Sequence, residues 1–222
     1  MSEQPESTSL VELTVTEHMV NICRVIKDEL VNLITLLRLQ GSQDDYKKLY
    51  EKIREIKNRG EEMKILLMEY LVKSSEIMMY SRSYIEIVRS LERIIQHIDG
   101  VAYRYLLIVE SRIIIGQDTI DKLLNMIDMI MKQLDAVESS IDKIRISPRK
   151  ALETLDHVIK IEEDVDNMFR RNIFEIYSKY SGYITALMIL KDLVEYIEEI
   201  SDIMRIVGEE LRYLALVKTS SL

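Results

Sequence analysis

The chain has almost none of the residues that stop or staple a polypeptide. Its 222 residues include 6 Gly, 2 Pro and 1 Cys. So few turn formers exclude a strand-rich fold with many tight turns and suit long helices. A lone Cys23 excludes an intramolecular disulfide framework. It sits among Met19, Val20, Ile22 and Ile26 and reads as a buried, inert thiol rather than a nucleophile. Basic residues are outnumbered, 30 Lys and Arg against 38 Asp and Glu, for a formal charge of −8. That balance argues against nucleic acid as the main partner, because phosphate binding needs a basic face. It is compatible with cation binding and equally with a merely well-solvated surface. No apolar run approaches the ~20 residues that span a bilayer, and no early segment has the pattern of a signal peptide. The expectation is a cytoplasmic, soluble protein that meets a membrane only through a partner.

What the chain does have is unbroken helical periodicity. Residues 1–8 are polar, include Pro5 and read as a disordered tail. A first helix is expected over about 9–40, with Met19, Ile22, Ile26, Leu30, Leu33 and Leu37 on one stripe, stopped by Gly41. Ser42 and Asp45 have the spacing of a capping box and start a second helix running to about 79. Ser81 or Ser83 would cap a third, over about 84–114. A fourth spans about 118–145 and has the cleanest heptad, from Ile120 to Ile144. Ser147-Pro148 is an N-cap followed by proline at the first helical position, so a fifth begins there and ends near Tyr180. Ser181-Gly182 turns into a sixth, over about 183–217. Short connections make sequential helices antiparallel neighbours. The layout, three long helices and then three more, points to an all-α protein of two tandem three-helix bundles, 9–115 and 116–222.

One stripe contains the wrong residues. In the fifth helix Leu152, Leu155, Ile159, Glu162, Asp166, Phe169, Ile173, Ile176 and Tyr180 recur at alternating steps of three and four. The two central places hold carboxylates. A carboxylate facing a helical core is costly unless paired, protonated or bound to a cation, and two of them four apart repel. On the sixth helix Glu195, Glu198 and Asp202 share a face. Counted from the turn at Ser181-Gly182, Asp166 should stand level with Glu198 and Glu162 level with Asp202. Glu162, Asp166, Glu198 and Asp202 are thus candidate ligands for a divalent or trivalent metal. The plainer alternatives are a solvated acidic face, or ion pairs with Arg170, Arg171 or Lys191. His18, His97 and His157 are scattered, with no Glu-x-x-His pair as in di-iron bundles. No P-loop, GxGxxG, HExxH or GxSxG is present. Met78-Met79-Tyr80 offers either a contact surface, as in a homo-oligomer, or a satellite core.

The segment from Ile161 to Arg170, with Glu162 and Asp166, resembles the Glu-x-x-x-Asp signature of PhoU-like phosphate-uptake regulators. The two-bundle layout resembles them too, most closely the stand-alone branch often encoded beside phosphate permeases, whose last helix is acidic where this chain has Glu198 and Asp202. The resemblance covers about residues 10–217. It implies iron or zinc held by these carboxylates and a non-enzymatic role in phosphate homeostasis, exerted on a phosphate transporter or signalling protein. The first half departs from the pattern: Lys57-Asn-Arg-Gly-Glu61 stands where a second signature should be, and Gln96 and Gly100 replace the acidic pair of the last helix. A metal site is therefore expected only in the second half. Two competing readings remain: a helical adaptor with no metal and no phosphate link, whose carboxylates make ion pairs, and a carboxylate-bridged metal enzyme.

Overall fold

The computed structural model describes the backbone of residues 4–220 and the side chains from Leu10 on. The described residues form six helices: α1 (Gln4–Arg38), α2 (Gln43–Lys73), α3 (Ser81–Glu110), α4 (Gln117–Ile146), α5 (Pro148–Tyr180) and α6 (Ile184–Ser220). No described residue lies in a strand. The breaks fall at Gly41, Gly116, Ser147 and Ser181-Gly182, where the sequence places them. The capping box is formed: Ser42 Oγ accepts from the Asp45 amide and the Asp45 carboxylate accepts from the Ser42 amide. Pro148 begins α5, where its missing N–H would have had no partner in any case.

Several boundaries differ from expectation. Of the expected tail over 1–8, residues 1–3 lie outside the described residues, and α1 already begins at Gln4. Pro5 sits in its first turn, where proline is tolerated. Helix α2 ends at Lys73 rather than 79, and Ser74–Tyr80 forms turns. Neither Ser81 nor Ser83 caps α3: Tyr80 does so in a left-handed conformation, φ 62°, with no side-chain cap. That conformation is costly for a non-glycine residue. Tyr80 is held there against Tyr213 of α6, edge to face at 5.9 Å. Of the Met78-Met79-Tyr80 trio, Met78 is core and Met79 is 64% exposed.

Helices α1, α3, α4 and α6 form a ring in which each packs on two others, and this ring is the centre of the molecule. Helix α2 lies on the α1–α3 side and α5 on the α4–α6 side. Each half is therefore a three-helix bundle, but the two do not have separate cores. One continuous buried cluster runs through all six helices. The halves are joined by two antiparallel contacts. Lys27–Asp135 at 2.6 Å and Arg24–Glu138 at 3.5 Å tie α1 to α4. His97–Glu199 at 2.8 Å ties α3 to α6. At one end Lys218 of α6 reaches Glu12 of α1, 2.7 Å away.

The burial pattern of one half recurs in the other. Ile53, Gly60, Leu67 and Leu71 are the buried residues of α2, and Val158, Val165, Asn172 and Ile176 hold the same spacing in α5. The expected core stripe of α1 is buried throughout, and so is that of α4 except Ile120. The stripe of α5 is not as expected. Between Leu155 and Ile176 it passes through Val158, Val165 and Asn172 rather than Ile159, Asp166 and Ile173. Helix α5 rests only on α4 and α6, so a narrow stripe suffices and much of its apolar surface, including Phe174 at 74% exposure, faces out.

Gly100 explains one of the first-half departures. A Cβ added there would lie 2.5 Å and 2.7 Å from the Tyr196 ring. That ring is held by the Arg104 guanidinium, 3.6 Å from its centroid, and by His97, whose ring centroid is 5.2 Å away. Gly100 is thus the seat for a tyrosine of the other half. Alanine should gain about 1 kcal/mol in helix propensity but meet a ring already packed against Arg104 and His97, and overpacking costs roughly 1–3 kcal/mol. Gly100→Ala is expected to lower the urea midpoint without changing the denaturant slope. A raised midpoint would show that the tyrosine yields.

Candidate metal centre

Glu162 and Asp166 project from the middle of α5 toward α6, and Glu198 and Asp202 from the middle of α6 toward α5. The antiparallel register is fixed by Arg212–Asp156 near one end and by the tight turn from Tyr180 to Ile184 at the other. Within that register the four carboxylates fall within electrostatic reach of one another. Glu198 is pushed up to about 7, first by loss of water and then by the charges of Asp202, Asp166, Glu199 and Glu162. The Glu162 carboxyl is also raised, by partial burial and by Asp202 and Asp166, against the opposing pull of Arg205. Each end of the four-carboxylate patch is raised by members of the other helix.

The patch lies at the edge of the core rather than inside it. The side chains of Glu162 and Asp166 keep 18% and 30% exposure. Basic residues already hold two of the four. Arg170 pairs with Asp166 one turn away at 2.7 Å, and Arg205 of α6 meets Glu162 at 3.3 Å while also binding Glu209 at 2.7 Å. Arg171 donates instead to the Asn167 carbonyl, and Lys191 is taken by Glu195 and Asp192. Arg205 is the partner that sequence spacing missed. It stands a turn beyond Asp202, and its reach across to Glu162 depends on the α5–α6 register. Glu195 lies outside the patch.

The donor chemistry fits a hard cation: four carboxylates, two of them raised by burial and by their acidic neighbours. The side chains do not converge into a coordination shell. Among the described residues no group of three or more His, Cys, Asp or Glu side chains is gathered to hold an ion. A metal would need Arg170 and Arg205 to withdraw. The first is easily displaced, since an exposed pair at this spacing contributes only about 0.3–0.5 kcal/mol and Arg170 is 72% exposed.

The first half was expected to have lost its ligands. At the corresponding surface Lys57 pairs with Glu61 at 3.0 Å, and Gln96 is exposed. Deeper in that bundle are two carboxyls that the sequence reading passed over, Glu29 of α1 and Asp99 of α3. Glu29 is fully buried. Cys23 is buried too, its thiol driven well up by burial, as an inert core residue should be.

The arrangement of six helices is similar to solved PhoU and PhoU-like structures over nearly its whole length. PhoU from Pseudomonas aeruginosa matches with a TM-score of 0.78 at 16% identity, covering 93% of this chain and 98% of that one. A PhoU-like protein from Shewanella oneidensis MR-1 matches with a TM-score of 0.77 at 14% identity, covering 91% and 99%. A PhoU-like phosphate regulatory protein from the same organism gives 0.76 at 14%, covering 92% and 96%. No protein-family model matches the sequence, and no curated protein is similar to it in sequence. The chain has a PhoU-like fold, with a sequence far from the solved examples.

The raised Glu198 generates a prediction. A carboxyl whose folded value exceeds its unfolded one stabilises the fold fully below the unfolded value, and that stability is lost as pH rises through the folded value. For Glu198 the window runs from about 4.5 to about 7. In chelator-treated protein, Glu198→Gln should leave the melting temperature nearly unchanged at pH 4.5 and raise it at pH 8. An equal shift at both values would show that Glu198 is not the group titrating.

Proposed function

We propose that this protein is a non-enzymatic regulator of phosphate uptake, cytoplasmic and acting by docking on a phosphate transporter or a signalling protein. The observation that carries this reading is a fold shared end to end with PhoU and with PhoU-like phosphate regulatory proteins. Among the described residues no helix is long and apolar enough to cross a membrane, so contact with a transporter would be peripheral. Deleting the gene in its host should change the rate of phosphate uptake in phosphate-replete or phosphate-starved cells. Unchanged uptake in both conditions would reject the reading.

Within it, the second bundle's patch is the metal-responsive part, with Glu162, Asp166, Glu198 and Asp202 as ligands to a divalent or trivalent ion, iron or zinc in the first instance. The support is the donor set and the unneutralised Glu198. Asp166→Asn keeps shape and removes a charge, so it should weaken iron, zinc and manganese binding by roughly tenfold or more, measured by calorimetric titration. Arg170→Ala should cost the metal-free protein no more than about 0.5 kcal/mol and leave the loaded protein unaffected. The metal-free adaptor is the second reading, favoured by the Arg170–Asp166 and Arg205–Glu162 pairs. If wild type takes up none of the three metals and loss of the protein leaves phosphate uptake unchanged, the carboxylates are ion-pair partners only and that reading holds.

A further inference from the structure

The first bundle contains a buried polar position whose counterpart in the second is fully satisfied. The buried residues Cys23, Ile26 and Leu30 of α1 recur in α4 as Ile127, Ile130 and Leu134, which sets Glu29 opposite Gln133. Gln133 is buried, and its amide donates to the carbonyls of Val158 at 3.2 Å and Ser201 at 3.1 Å. Its carbonyl accepts from the Ser201 hydroxyl at 2.8 Å. Two neutral side chains thus close the gap between α4 and α6. In the first half the gap between α1 and α3 has Glu29 and Asp99 instead. Neither oxygen of Glu29, nor Asp99 Oδ1, has a hydrogen-bond partner.

Two carboxylates cannot both stay charged there. A buried unpaired charge is costly enough that the group takes up a proton instead. The charges around them decide which one does. From α2 face Tyr50, Arg54, Lys57 and Glu61, and from α3 Asp99. Lys57 is committed to Glu61 at 3.0 Å. Partial burial raises the Asp99 carboxyl from its ordinary value, but Lys57, Arg54 and the Tyr50 hydroxyl all pull it back toward the charged form, whereas Glu29 is raised much further and has Lys57 as the single cation acting on it. The neighbouring α4 offers Asp135 and Glu138, both held by Lys27 and Arg24. Helix α6, behind α3, offers Glu199, held by His97.

We propose that Glu29 is the neutral acid in the folded protein at neutral pH, beside an ionised Asp99, and that losing its proton loosens α2 from the first bundle. The direction agrees with burial and the charge of Asp99 both raising Glu29 well above the ordinary carboxyl range. Helix α2 is the element exposed to the change. It is held only by α1 and α3, the helices bearing the two carboxyls. It comes close enough at Gly60 that an added Cβ would meet Ile95 at 2.5 Å. The sign follows from linkage: stability from the protonated acid is present at low pH and lost as pH rises through the folded value.

Infrared spectroscopy tests the protonation directly. At pH 7, in a Glu198→Gln background that removes the other strongly raised carboxyl, the protein should show a neutral-carboxyl C=O band that disappears when Glu29→Gln is added. Hydrogen exchange of α2 amides, corrected for intrinsic rate, should rise between pH 7 and pH 9 in wild type and stay flat in Glu29→Gln. Should Glu29→Gln fail to fold, Asp99→Ser, which introduces the residue found in the other half, should shift the same band's loss to lower pH. Absence of a Glu29-dependent neutral band at pH 7 overturns the proposal. So does α2 protection restored at pH 9 by magnesium, manganese or zinc, which would make the pair a cation site.

Discussion

Everything in this molecule hangs on the sharing of one core between the two halves. Three amphipathic helices can bury only one face each, and a bundle of three leaves apolar surface on its outer flank. Here α1 and α3 turn that flank toward α4 and α6, and the four together enclose a single continuous cluster. The charged contacts at this junction, His97–Glu199 and Lys27–Asp135, sit at its rim. They fix register more than they add stability, since exposed pairs contribute little. Tyr196 seated over Gly100 makes the junction asymmetric. The first half cannot also place a carboxylate at that point, and Lys57 and Gln96 are non-acidic at two more of the equivalent positions.

The acidic residues of the chain fall into two physical situations. At the α5–α6 edge, four carboxylates share partial solvent, and Arg170 and Arg205 pair with two of them. Charge there is adjustable, and a ligand can reach it. Between α1 and α3, Glu29 is sealed from water with no hydrogen-bond partner, beside a half-buried Asp99. Charge there changes only by moving a proton or opening the bundle. The same side-chain chemistry thus gives an exchangeable surface in one half and a buried acid in the other.

The long ring helices were legible because their apolar residues recur through about five to seven turns, and a central helix has no freedom to rotate away from its stripe. Helix α5 was harder. Lying outside the ring, it buries a narrow strip, and its surplus of apolar residues supports two adjacent stripes almost equally. The choice between Asp166 and Val165 as the inward residue is made by α4 and α6, not by α5 itself. The four patch residues could be brought together on paper because an antiparallel hairpin with a short turn fixes heights. Arg205 could not, since a long side chain crossing between helices leaves no spacing signature. Glu29 was passed over for a different reason: Leu30 beside it continues the apolar stripe, so the interruption leaves no gap.

The shared core also sets the order in which the protein can be completed as it is made. Synthesis delivers α1, α2 and α3 first, at about 5–20 residues per second. Those helices can associate, but the faces of α1 and α3 meant for α4 and α6 stay bare until the second half arrives. For that interval the nascent chain displays a broad apolar flank, the kind of surface that draws chaperones or a second nascent chain. A message carrying rare codons near Gly116 would lengthen the exposure. One that is translated quickly through α4 would close it.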